Sequence, residues 1–319
     1  MKKILIISTN AIGDAYLSMS AIELLENEYG NVDFTFVFPK SARELNISKD
    51  TNYKILYASK SIANFVLIIA KLFYHKYDFT FSFFPGRYNT FLLKLCRSKN
   101  KGGYFNYKKI ERWDNQILIP TIYRQGEFEA AAKWSYSKNY LELIGNILRC
   151  FVPEVTVKKC KPFISDKVIY NSDTIIIHGI SRNSDRSFTI AQFNTIVKFL
   201  DELSIKNIYI LGSKKDNERI KENLNYSNVS YLSDLSLEKL VMQLSTSFLI
   251  ATDSFPLHIA DAYNTNFIGL FTSTKPEAVL TNVKKSIILK KDSFSEISVQ
   301  EFEEELNKIK QYFLEHRYI

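Results

Sequence analysis

Residues 4–25 read ILIISTNAIGDAYLSMSAIELL, and this stretch decides the fold. The unbroken run Ile4-Leu5-Ile6-Ile7 suits a strand buried on both faces, as strands of parallel sheets are. A loop holding Gly13 follows, and a helical pattern then runs from Asp14 to about Tyr29. A strand, a glycine-bearing loop and a helix open a βαβ unit. Asp14 at the helix start has two readings. As a cap or first-turn acid it would stabilise the helix by about 0.5–2 kcal/mol. As a carboxylate facing a cleft it would take a proton from a substrate hydroxyl. The readings compete, because a carboxylate bonded to backbone amides is a weaker base.

The same grammar continues through the chain. Strands are expected near Lys3–Ser8, Phe34–Phe38, Ile55–Tyr57, Phe79–Phe83 and Gly103–Phe105, with helices near Ser61–His75 and Asn89–Cys96. After a polar, proline-bearing stretch at Pro153–Ser172 the alternation resumes, with strands near Thr174–His178, Asn207–Leu211, Ser230–Leu232, Ser247–Ala251, Asn266–Phe271 and Ser286–Leu289. Thr189…Gln192 and Ser298…Glu301 have the spacing of capping boxes, and Ser236 stands before a third helix. The expectation is an α/β chain of two Rossmann-like parallel-sheet domains, 1–165 and 166–319, facing each other across a cleft. The last helix, 298–316, carries Phe302, Leu306, Ile309 and Phe313 on one stripe and could pack back toward the first domain.

Composition narrows the function classes. The 319 residues are 46% hydrophobic and 24% charged, ordinary for a globular protein. Three cysteines without a CxxC pair argue against a disulfide framework or a zinc site and fit a reducing cytosol. The apolar part of MKKILIIS is short for a signal peptide. The longest apolar stretch, 62–73, is short for a membrane span and is interrupted by Asn64 and Lys71. Residues 1–165 hold 24 Lys+Arg against 14 Asp+Glu, whereas 166–319 hold 18 against 20. The positive field belongs to the first half. It suits nucleic acid, a membrane surface or a phosphorylated small molecule, or it serves solubility alone. No nucleic-acid motif accompanies the charge.

Polar loops follow several strands. HGISRNSDRSF (178–188) offers Ser181, Arg182 and Arg186 just before a capped helix, a set suited to a diphosphate or simply to solvent. Neither GxGxxG nor GxxxxGK[ST] is present. DSFPLHIADAY (253–263) places Asp253 and Ser254 at a helix start with Pro256 behind them, and His258 one turn in. A histidine there is either a packed helix residue or a ligand contact. YDFTFSFFPGR (77–87) ends in Arg87, an anion contact or a surface residue on a turn.

These pieces, in this order, resemble glycosyltransferase family 9, the ADP-heptose:lipopolysaccharide heptosyltransferases, over nearly the whole chain. Gly13-Asp14 through Ala21-Ile22 resembles the family's GDxxLxxPAL signature, Tyr77 to Arg87 its YDxxIDLQG turn, and Tyr140 to Gly145 the helix before its linker. Asp253 to Ala260 resembles DTGxxHLA, and Phe271 to Pro276 resembles FGPTxP. The resemblance implies a GT-B fold and metal-independent, inverting sugar transfer. It implies an anionic lipopolysaccharide-type glycolipid acceptor on the first domain, at Gly13 and Arg87, with Asp14 as base. It implies an ADP-heptose-like nucleotide-sugar on the second domain, near Ser181, Arg182, Arg186, Asp216, Asp253, Ser254 and His258. It implies a bacterial, cytoplasmic protein, peripheral at the inner membrane, with neither a bound cofactor nor a nucleic-acid partner. The sequence also has no Asp-x-Asp. It departs from the family pattern at His178-Gly179, Phe188, Phe255 and Thr272-Ser273-Thr274, all in the donor half. Another sugar nucleotide, epimerase-type chemistry, or an inactive sugar-nucleotide-binding protein are the alternatives.

Overall fold

Parallel strands flanked by helices are what the alternating pattern requires, and each half of the chain builds such a sheet. The computed structural model describes residues 1–45, 53–59, 61–84, 86–103, 121–124, 127–130, 140–152, 155–158, 174–181, 183–281, 286–289, 291–308 and 310. Arg182, most of the 153–172 linker and the 311–316 end of the last helix lie outside them. Two compact units divide at Cys160/Lys161.

The first unit runs β1 (Lys2–Ile7), α1 (Ile12–Ser18), α2 (Ile22–Tyr29), β2 (Val32–Pro39), β3 (Lys54–Ala58), α3 (Ile62–Tyr74), β4 (Lys76–Ser82), α4 (Arg87–Leu95), β5 (Arg97–Gly103), β6 (Thr121–Arg124), β7 (Glu127–Ala130) and α5 (Tyr140–Leu148). Its sheet has the order β3-β2-β1-β4-β5-β6-β7. Strands β1 to β5 are parallel, and β6 and β7 add an antiparallel edge. Ile4 to Ile7 are fully buried, as the sequence run predicts. Alternate phenylalanines stack along β2 and β4, Phe34 on Phe36 at 5.8 Å and Phe79 on Phe81 at 6.1 Å. Side chains two residues apart share a face of a strand, which builds these ladders.

Two expectations shift. The helix expected over 14–29 is interrupted by a 3₁₀ turn at Met19–Ala21. The Ser18 hydroxyl donates to the Asp14 carbonyl at 2.7 Å, a back-bond that competes with the helical ladder just before the turn. The strand expected at Gly103–Phe105 begins earlier, at Arg97, and runs to Gly103; residues 104 and 105 lie outside the described residues. Its polar sequence hid it. Lys101 is nevertheless buried there, its ammonium donating to the Lys94 carbonyl at 2.9 Å at the end of α4.

The second unit runs β8 (Thr174–His178), α6 (Ile190–Glu202), β9 (Asn207–Gly212), α7 (Lys214–Lys221), β10 (Val229–Ser233), α8 (Leu237–Thr246), β11 (Phe248–Thr252), α9 (Phe255–Ala262), β12 (Phe267–Phe271), α10 (Pro276–Val279), β13 (Ser286–Ile288) and α11 (Val299–Lys308). All six strands are parallel, in the order β10-β9-β8-β11-β12-β13. The capping box at Thr189 and Gln192 is formed in both directions, and the Ser298–Glu301 pair is formed as well. Helix α11 buries Phe302 and Leu306 in this unit's own core, and it packs against α6.

Candidate functional site

In an open parallel sheet the crevice lies where strand order reverses, outside the carboxyl ends of the strands. In the second unit that point is between β8 and β11. The loop after β8 is tightly self-bonded. The Ser181 amide donates to the Ser187 hydroxyl at 2.9 Å, and that hydroxyl donates back to the Ser181 carbonyl at 3.2 Å. The Asn183 side chain accepts from the Asp185 amide, opening a short 3₁₀ turn at Ser184–Arg186. Phe188 then returns into the core and donates its amide to the Gly179 carbonyl at 2.7 Å. Glycine at 179 follows from this packing, because a Cβ there would lie 1.9 Å from the Phe188 ring.

The loop geometry delivers Arg186 to the start of α9. Its Nη1 donates to Asp253 Oδ2 at 2.5 Å, and Thr274 Oγ1 lies 3.5 Å away. Asp253 is 5% exposed at its side chain and Arg186 30%. The Thr272 hydroxyl donates to the Asp185 carbonyl at 3.4 Å. Loops after β8, β11 and β12 thus converge on one guanidinium. Arg186 Nε is buried with no hydrogen-bond partner, so the fork retains an unused donor.

Ser254 is the N-cap of α9 in extended conformation, but its side chain does not cap the helix. The hydroxyl donates to the Thr252 carbonyl at 2.9 Å instead. The start of α6 differs, since Thr189 and Gln192 satisfy each other there. The α6 start at 189 is thus occupied by its own capping side chains. His258 is buried inside α9. Asp216 sits on α7, beyond β9, and accepts from the Ser213 hydroxyl at 2.5 Å within its own cap.

His178 closes β8. Its Nδ1 lies 2.9 Å from the Leu211 carbonyl and so carries the proton and donates. Burial pushes its pKa below the usual histidine value, opposed by the backbone bonds to Leu211 and Ile180 and by the Asp216 charge. It ties β8 to β9 as a neutral ring.

In the first unit the reversal lies between β1 and β4. Asn89, fully buried, joins the two loops there. Its Oδ1 accepts from the Thr9 amide at 2.9 Å and from the Thr9 hydroxyl at 2.6 Å, and its amide donates to the Phe84 carbonyl at 3.1 Å. Gly86 packs on Asn10, where a Cβ would meet Oδ1 at 2.6 Å. The N-cap of α1 is Ala11, which has no side chain to cap with. Asp14 is the third helical residue, half-buried, with Gly13 before it. It is a first-turn acid and not the cap residue. Arg87 is exposed at the first position of α4. Strand order and the Asn89 bonds therefore put the loops that lead to Gly13, Asp14 and Arg87 side by side in the first unit, and in the second the Arg186–Asp253 pair adjoins Ser254. The sequence marks Thr274 only as a departure from the family pattern, and it gives no sign of the parts played by Asn89 and Asn183. Asn89 hid inside an amphipathic helix pattern, whereas Thr274 sits in the FTSTKP stretch that marks the β12 loop.

Among the described residues no three His, Cys, Asp or Glu side chains converge as a metal site would. None of the described helices is long and apolar enough to cross a membrane.

Residues 154–307 match the model of glycosyltransferase family 9 (heptosyltransferase). This segment is a glycosyltransferase family 9 domain. No curated protein matches the chain by sequence. Among solved structures, E. coli heptosyltransferase WaaC with ADP is 14% identical, with 98% of this chain and 99% of that one covered and a TM-score of 0.69. E. coli ADP-heptose LPS heptosyltransferase II is 16% identical, with 98% and 99% covered and a TM-score of 0.60. The UDP-GlcNAc 2-epimerase from Neisseria meningitidis is 14% identical, with 99% and 93% covered and a TM-score of 0.57. The likeness spans both units and gives the glycosyltransferase the GT-B fold.

Proposed function

We propose that this family 9 glycosyltransferase moves a sugar, with inversion and without a metal, from a nucleotide-sugar to a hydroxyl of an anionic, membrane-borne glycolipid of the lipopolysaccharide type. The observation that carries the reading is Arg186. Three loops of one sheet reversal hold it beside the α9 start, where the Ser254 side chain turns away from the cap position. A guanidinium and a helix N-terminus together suit a leaving diphosphate. In the reaction Asp14 removes the acceptor proton while the acceptor oxygen attacks the anomeric carbon opposite the diphosphate. Charge builds on the diphosphate as the glycosidic bond breaks, and fixed donors favour that state over the ground state. Asp253 keeps Arg186 aimed before the donor arrives. Arg87 and Gly13 receive the acceptor, and Ser181, Arg182 and His258 complete the donor surroundings. The two heptosyltransferase likenesses support an ADP-heptose-like donor as the first candidate. Phe255, where the family has glycine, leaves the nucleotide and sugar to be found by experiment.

The test is a thermal-shift series with ADP-heptose, ADP-hexoses, UDP-sugars and GDP-sugars. A ligand at about 100 times its Kd adds about 2.7 kcal/mol. For a unit of this size that raises Tm by roughly 5–10 °C. One nucleotide class is expected to do so, and Arg186→Ala to erase the shift. No shift with any nucleotide would refute the reading. Nucleotide release that needs no acceptor would favour hydrolysis or epimerase-type chemistry.

A further inference from the structure

Helix α3 is apolar on the side where a surface helix should be polar. An α-helix turns about 100° per residue, so Ile62, Val66, Leu67, Phe73 and Tyr74 share an arc of about 140°. Ile68 and Leu72 lie opposite and are buried in the core. The five are not buried. Ile62 is 80% exposed and Tyr74 82%, and the other three are more than half exposed. A helix hydrophobic all round is ordinarily enclosed on every side. The patch continues onto α4. Phe65 stacks on Tyr88 at 4.9 Å and on Phe91 at 5.6 Å, and Phe91 and Leu95 are exposed one turn apart.

The segment that builds this face is basic. Residues 61–99 contain Lys71, Lys76, Arg87, Lys94, Arg97 and Lys99 against Asp78 as the one acid. Asp78 is occupied, bonded to the Lys3 amide at 3.0 Å and paired with Lys99 at 3.2 Å. Arg97 lies over the Phe73 ring at 5.7 Å, a cation set into the apolar surface. Exposed apolar side chains on a basic segment match an anionic bilayer surface, where the former enter the acyl boundary and the Lys and Arg side chains meet the headgroups. A second copy of the chain would bring the same basic segment against itself, so charge favours lipid over self-association.

We infer that the exposed face of α3 and α4 is the surface by which the glycosyltransferase docks on an anionic membrane, with α3 lying in the interfacial plane. This deepens the membrane-borne acceptor of the proposed reaction and rests on that reading for its purpose. Helix α4 carries both Phe91 and Leu95 on the docking face and Arg87 at its other end, about 12 Å along its axis. The acceptor headgroup would thus be met one short helix away from the lipid surface.

The test is co-sedimentation of the full chain with phosphatidylglycerol-rich vesicles and with phosphatidylcholine vesicles, with no donor or acceptor present, so that it can fail or succeed apart from the sugar-transfer reading. Binding to the anionic vesicles is expected to be at least about tenfold tighter, and to weaken in about 0.5 M salt. Val66→Ser/Leu67→Ser/Tyr74→Ser should lose binding about tenfold with Tm unchanged, since these side chains are exposed. Lys71→Gln/Lys94→Gln should reduce the preference for anionic lipid while keeping the apolar face. Absence of vesicle binding, or binding untouched by both variants, overturns the inference. So does a lipid-free dimer that the serine variant converts to monomers without changing vesicle binding.

Discussion

At the scale of single residues, the decisive contrast is between acids that hold a cation and acids that hold a backbone. Asp253 is almost wholly buried and serves Arg186, whereas Asp216 closes its own helix cap. Replacing Arg186 with Met would leave the Asp253 carboxylate buried without its cation. The second unit is expected to lose about 1–3 kcal/mol, less than for a fully buried pair because Arg186 is partly exposed. Denaturant titration of the variant would check this, and Asp253→Asn/Arg186→Met should recover part of the loss. His178 gives a pH signature. Its folded pKa lies below the unfolded value, so the unfolded chain binds the proton more readily. The stability from its neutral form is complete above about pH 6.5 and is lost as pH falls below that toward the folded value. Denaturation midpoints between about pH 7.5 and 5.5 should fall more steeply for the native chain than for His178→Gln.

At the scale of elements, loops after paired strands are held by side chains that the helices supply. Asn89 on α4 pins the loop that leads into α1. Asn89→Ala leaves the Thr9 amide and the Phe84 carbonyl without this partner, at an expected cost of about 2–3 kcal/mol. It should also lower kcat more than it raises KM, because Asp14 sits on the helix that this loop enters. A thermal melt beside steady-state kinetics would show both. The elements themselves were largely legible in the sequence. The Thr189–Gln192 box and the Ile4–Ile7 run are local signals with local causes, and both elements form where expected. The polar strand β5 was not legible, because its place is set by pairing with β4 and by the Lys101–Lys94 bond, neither of which leaves a period in the sequence. The break in the first helix was equally hidden, since it depends on one serine hydroxyl turning back on the chain.

At the scale of the whole molecule, two units of similar size each close their own core and each put a sheet reversal beside polar loops. That duplication was readable from the alternation of strand and helix, and so were the polar loops that follow β8 and β11. The grouping of Arg186, Asp253 and Thr274 was not, because their separations of 67 and 88 residues are bridged only by strand order. In the sequence the 62–73 stretch is legible only as an apolar run too short to span a membrane. Its exposure is a property of the layer it occupies. The account turns on Asp14 as the group that takes the acceptor proton. The most direct measurement is acceptor-dependent nucleotide release by Asp14→Asn, set beside its donor affinity. As a first-turn residue of α1, the substitution should cost the fold only about 0.5 kcal/mol. The expected result is a kcat lower by about 10²–10⁴ with donor affinity held within about twofold. Turnover within about threefold of the native chain would contradict the account.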